Sequence, residues 1–334
     1  MRTTQRFLAW LGFVVALLAC GSDPPANAVG EASAAPTGVA SPQGVATSPS
    51  ADASAVASVT AVSPVIPAPP APTVTATPVL FEVKKGNAVG YLFGTMHTGV
   101  DAHKELNPIV FKKLDEAKVV VLEADVFNVN PMEIAKVAMF PPGTEGVAKK
   151  LKPGHWKIVV DRLSSFLMPE SSLAQMKPWF IGTMLVQKML PEVEPIDSVI
   201  YHRADRAGKQ LVYVETVKEQ LDMVEKSFEV KVLDDMLADM PKTERLTLEL
   251  ADAYRKGDLD ALTKISFDPE EMKKHPPMFE MMFFARNNAW VPKLMPLFDK
   301  GGVFVAVGAG HLLGDKGVGA LLAKQGYSVE RIKL

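Results

Sequence analysis

The stretch "VFVAVGAGHLLGDKGVG", residues 303–319, decides how the rest of the chain is read. Val303 to Val307 make an apolar run of strand length that meets Gly308 and Gly310, and beyond His311 the apolar residues Val318, Leu321 and Leu322 recur at helical spacing. The pattern predicts a buried strand, a glycine turn that presents a histidine, and a helix. In open α/β sheets ligands bind outside the carboxyl ends of the strands, so His311 stands where chemistry is expected. A dinucleotide-binding turn would share the pattern Gly308-x-Gly310-x-x-x-Gly314, with Glu330 twenty residues past Gly310. That fold needs further strand–helix units after the acidic residue, and only four residues follow it here.

A second strand–glycine–histidine unit lies near the other end of the chain. "YLFGTMH", residues 91–97, places His97 three residues after Gly94, as His311 follows Gly308. One Gly-x-x-His is common by chance, but two of the six histidines following short apolar strands are harder to dismiss. Further strand candidates are residues 81–85, "KVVVLEAD" at 118–125, "QLVYVET" at 210–216 and "YSVERIKL" at 327–334. Residues 155–208 and 217–299 carry apolar residues at helical spacing, interrupted by prolines. The expected fold is therefore α/β (α+β), a mixed central sheet formed by both chain ends with a large helical insertion.

Glu123 and Glu215 end two of these strands. A carboxylate at the end of an apolar strand is costly if buried alone, so each requires a partner. Two imidazoles and one or two carboxylates at equivalent strand ends make a cluster able to bind a divalent transition metal. The plainer reading is that the glutamates pair with Arg286 or a helix N-terminus while the histidines are hydrogen-bonded core residues. His103, six residues after His97 in a polar loop, reads as a surface residue, and His155 as a helix start. No Gly-x-Ser-x-Gly elbow, Cys-x-x-Cys or His-Glu-x-x-His motif is present.

The N-terminus reads as an export signal. Arg2 and Arg6 precede the apolar run Phe7 to Ala19, and Leu17-Leu18-Ala19-Cys20 resembles a lipobox, with Cys20 the single cysteine of the chain. Residues 1–20 are thus expected to be a lipoprotein signal peptide with its lipidation site at Cys20. Residues 21–78 are rich in Ala, Pro, Ser and Thr, lack aromatic residues and Lys or Arg, and carry only Asp23, Glu31 and Asp52 as charges. They read as a disordered tether, and residues 79–334 as a single folded domain. The expected location is the cell envelope. Ser22 is not the aspartate that commonly retains lipoproteins at the inner membrane, which favours the outer one. Removing residues 1–19 takes away two arginines and no acid, so the formal net charge goes from −2 to −4. This mildly acidic balance gives no electrostatic reason to expect a nucleic-acid partner.

Together with "VLEAD" after the first histidine, "VYVETVKEQ" in the middle, "YRKGD" at 254–258 and "ARNNAW" at 285–290, the paired Gly-x-x-His motifs resemble the TraB/GumN family, whose relatives include the TIKI proteins. The resemblance covers about residues 80–333. It implies a fold related to the erythromycin-esterase and ChaN-like proteins, and TIKI members are metal-dependent proteases. Carried onto this sequence, it implies His97, His311 and Glu123 as metal ligands and Glu215, Arg286 and Asn287 as catalytic residues, with Mn, Co or Zn as the metal. One departure is "EPIDSVI" at 194–200, where Pro195 stands in place of the family's usual glycine. The function expected is a metal-dependent hydrolase, most plausibly a peptidase, anchored to the membrane through Cys20 and acting on a peptide or protein. The alternative is a non-catalytic lipoprotein that sequesters a peptide or a haem-like ligand in the same cleft.

Overall fold

A computed structural model of the chain describes residues 77–333. The expected leader, Cys20 and all but the end of the tether lie outside the described residues. From Val79 onward the backbone already belongs to the fold, since Val79 and Leu80 are fully buried.

Six strands form one mixed sheet: β1 (Leu80–Lys85), β2 (Ala88–Thr95), β3 (Val119–Leu122), β4 (Gln210–Tyr213), β5 (Val303–Gly308) and β6 (Ser328–Arg331). Their order across the sheet is β4-β3-β5-β2-β1-β6. β5 pairs in parallel with β2 on one side and β3 on the other, and β4 extends the parallel set beyond β3. β1 is antiparallel to both β2 and β6. Every residue of β5 is buried, as a central parallel strand covered on both faces requires, and this explains why "VFVAVG" is continuously apolar instead of alternating.

The sheet is assembled from both ends of the chain, and the helices come mainly from the interior. Between β3 and β4 run the helices Pro178–Met189 and Ile196–Arg206, among others, and between β4 and β5 run Val217–Ser227, Met240–Lys256, Leu259–Ser266 and Ala285–Lys300. The last of these carries Trp290, Leu294 and Phe298 four residues apart, and all three are buried. That stripe sets the side of the helix that faces inward, and it extends one turn earlier to Arg286. Pro195, the departure noted in "EPIDSVI", stands just before the helix Ile196–Arg206 with φ −56°, a backbone angle natural to proline, so it opens the helix without distortion.

Four parallel strands must end at one edge of the sheet. Beyond β2 comes His97, beyond β3 Glu123, beyond β4 Glu215 and beyond β5 His311, so residues from four distant parts of the sequence arrive at the same edge. The backbone continues the β3–β4 pairing past the strands, with Glu215 N–H donating to Glu123 O at 2.9 Å.

Candidate functional site

At this edge the guanidinium of Arg286 occupies the centre. It has five N–H donors in a fixed fork, and each has an acceptor. Nε donates to Glu215 Oε2 at 3.0 Å and one Nη2 hydrogen to Glu215 Oε1, a bidentate pair. Nη2 also donates to Glu123 Oε2 at 2.6 Å. Nη1 donates to Met282 O and to His311 Nε2, both at 3.0 Å. The Met282 carbonyl is aimed at it by the π-helical turn Glu280–Phe284, which leads into the helix Ala285–Lys300.

The protonation of His311 follows from its neighbours. Asn287 Nδ2 donates to Lys316 O at 2.8 Å, so Asn287 Oδ1 faces His311 Nδ1, 2.6 Å away, and that nitrogen carries the hydrogen. Nε2 is then the acceptor for Arg286. Burial, the Arg286 charge and His97 together hold the His311 pKa well below the ordinary histidine value, and its ring lies between Phe283 and Trp290. His311 is a neutral, fixed imidazole.

His97 is in the opposite condition. Its Nδ1 lies 2.6 Å from Asp197 Oδ2, and Asp197 Oδ1 accepts from Thr95 Oγ1 at 2.8 Å. Burial pushes the imidazole toward neutrality, but the Asp197 carboxylate, with Glu123 beyond it, outweighs this and raises the pKa above 6.5. With Nδ1 committed to Asp197, Nε2 points at Gly308. A β-carbon on Gly308 would lie 3.0 Å from His97 Nε2, 3.4 Å from Glu123 Oε1 and 3.7 Å from His311 Cδ2. Gly308 has φ −50°, which any L residue can adopt, so glycine is needed here for room and not for backbone freedom.

Glu123 is fixed from three directions: by Gly308 N at 2.7 Å, by Arg286, and by Gln220 Nε2 at 3.3 Å. Burial pushes its carboxyl upward against the pull of Arg286 and His97. Two cavities flank His97. One, of about 70 Å³, is walled by apolar side chains including Val186, Leu250, Leu262, Met282 and Phe283. The other, of about 30 Å³, is lined by Glu123, Asp197, Gln220 and the apolar residues around Phe127.

The profile of the TraB/PrgY/gumN family matches residues 79–331, nearly the whole of the described domain. The chain belongs to this family. No curated protein and no solved structure matches it.

All six residues expected at the site of this TraB-family domain do converge, but they do not stand alike. Glu215 lies on the far side of Arg286, lines neither cavity beside His97, and also accepts from Trp290 Nε1 at 3.1 Å. Asn287 touches His311 and the Lys316 carbonyl. His103 is an exposed residue beside Glu194, as expected, and His155 pairs with Asp234 away from the site. Gly94 packs against Val79 and Ala309, so its missing side chain serves packing, whereas that of Gly308 makes way for His97 and Glu123. Asp197, Thr95 and Gln220 are the members that sequence reasoning missed. Asp197 lay inside a quoted motif, but nothing in the sequence names its partner a hundred residues away.

The expected metal trio can be tested on these donors. His97 Nε2 and Glu123 Oε1 face the point before Gly308, whereas His311 turns a carbon edge toward it and gives Nε2 to Arg286. Among the described residues no group of three or more His, Cys, Asp or Glu side chains is disposed to hold one metal ion. The donor set as arranged therefore does not complete a three-ligand metal site.

Removing the central cation should leave two buried carboxylates facing each other. Arg286→Met is expected to lower the unfolding free energy by about 3–5 kcal/mol. The loss should shrink as pH falls, because Glu123, already pushed upward by burial, would lose the Arg286 charge that pulls it down, and its protonation favours the folded state. Urea titration at several pH values reads this directly; a loss of the same size at every pH would contradict it.

Proposed function

We propose that the chain is a hydrolase of amide or ester bonds in peptide-like substrates, with His97 as its general base. The observation that supports this best is the cavity of about 30 Å³ that His97 and Glu123 line together, with Asp197 paired to His97 beside it. A water in that cavity donates one hydrogen to Glu123, which holds it, and the other to His97, which removes it as the oxygen attacks the carbonyl carbon. Asp197 orients the imidazole and stabilises the imidazolium, and the proton then passes from His97 to the leaving amine or alcohol. Arg286 acts by holding Glu123 and His311, since its own N–H groups are engaged within the fold. No step runs through a metal ion. Binding without turnover in the same cleft is the competing outcome.

Gly308→Ala, at an unstrained backbone position, puts a methyl group 3.0 Å from His97 Nε2 and 3.4 Å from Glu123 Oε1, displaces both, and should reduce kcat/KM by about a hundredfold or more while the protein remains folded. His97→Ala and Asp197→Asn should each cost about 10²–10⁴-fold. The base form of His97 is the deprotonated one, so the wild-type rate should rise with pH through a pKa above 6.5. In Asp197→Asn that limb should move to lower pH, because the carboxylate that raises the pKa is gone. Hydrolysis at the wild-type rate by both Gly308→Ala and His97→Ala would refute the assignment. A rate abolished by chelator and restored by Mn²⁺, Co²⁺ or Zn²⁺ would replace the metal-free scheme by a metal-dependent one.

The leader supports a location to go with this activity: a domain held at the cell envelope by lipid on Cys20, with the outer membrane preferred. No helix among the described residues is long and apolar enough to cross a membrane. Cys20→Ser expressed in a bacterial host should lose incorporation of labelled palmitate and leave the membrane fraction. Retention of both label and membrane association would dismiss the anchor.

A further inference from the structure

Resting on the hydrolase reading, we infer that the substrate group adjoining the scissile carbonyl is a short, uncharged aliphatic side chain, of alanine or valine size, received by the larger cavity beside His97. The two cavities divide the tasks. The smaller, about 30 Å³ and bordered by Glu123, Asp197 and Gln220, matches the volume and the polar partners of one water molecule. The larger, about 70 Å³, is left for the substrate. A dry cavity of roughly 150 Å³ admits benzene, so one half that size suits a side chain of one to three carbons.

The walls decide the polarity. Val186, Leu250, Leu262, Met282 and Phe283 are among its apolar walls, and no carboxylate or ammonium group lines the cavity. The polar groups that do reach it are mostly engaged already. Tyr254 OH donates to Gly94 O at 2.7 Å, Thr247 Oγ1 donates to Thr243 O at 3.0 Å, and Arg286 is committed to its five acceptors. Thr98 and Ser266 add only neutral hydroxyls. A lysine side chain entering here would lose its hydration and meet no acid. An aspartate would also approach a guanidinium already facing two carboxylates, Glu123 and Glu215, with Asp197 nearby.

The test uses the purified full-length chain and a series of N-acetyl-Xaa 4-nitroanilides with Xaa as Gly, Ala, Val, Phe, Asp or Lys. The expected result is a kcat/KM for Ala or Val about tenfold above Gly and about a hundredfold above Asp and Lys. Leu262→Ala, which widens the cavity, should move the optimum toward Phe. Asp or Lys turned over as fast as Val would overturn the inference and leave the hydrolase reading intact. If no member is turned over, calorimetry with the matching N-acetyl-Xaa amides separates the two. Selective binding of the valine amide keeps the pocket assignment while the hydrolase reading falls, and equal or absent binding removes both.

Discussion

The buried guanidinium of Arg286 is the constraint on which this edge of the sheet depends. Taking such a charge out of water is expensive, and the cost is offset only where every N–H finds an acceptor and the charge finds carboxylates. Here both conditions hold at once: Glu123 beyond β3, Glu215 beyond β4, His311 beyond β5 and the Met282 carbonyl all close on one planar fork. Planarity matters as much as charge, because a lysine could not reach these acceptors in fixed directions. Three strand ends and one helix are thereby locked in mutual register, and the π-helical turn before Arg286 exists where its carbonyl is needed.

β2 alone delivers its histidine to a different partner. His97 leans on Asp197 and Thr95, and its remaining nitrogen faces Gly308. The two Gly-x-x-His units are thus alike in sequence and opposite in chemistry. The second gives a neutral histidine held as part of the frame; the first gives a histidine whose carboxylate neighbour raises its basicity. The glycines diverge in the same way, Gly94 being required by packing against Val79 and Ala309 and Gly308 by the close approach of His97 and Glu123. Repetition of a motif in this chain reflects repeated strand-end geometry, and the function of each copy is set by what packs against it.

Much of this was legible in the sequence, and the reason is the parallel sheet. Buried on both faces, its strands appear as unbroken apolar runs such as "VFVAVG" and "VVVL", so their ends, and the polar residues standing there, could be located by inspection. Arg286 was visible too, since its spacing from Trp290, Leu294 and Phe298 places it on a buried helical stripe where an arginine must be paired. The pairing itself was not legible. Glu215 stood among the expected catalytic residues, and the sequence could not show that both of its oxygens are turned to Arg286. Asp197 sits in the first turn of a helix after Pro195, a position that suits any acidic residue for reasons of helix polarity alone. Its role comes from a contact across a hundred positions, and no local pattern encodes that.

An NMR titration of the imidazole nitrogens of His97 and His311 in the intact protein reads the opposed states of the two histidines. His311 should stay neutral, with its hydrogen on Nδ1, throughout the ordinary histidine range. His97 should titrate above the ordinary histidine value of 6.5. A His311 that protonates in the ordinary range, or carries its hydrogen on Nε2, would contradict the arrangement around Arg286, and a His97 titrating below 6.5 would contradict its assignment as the activated base.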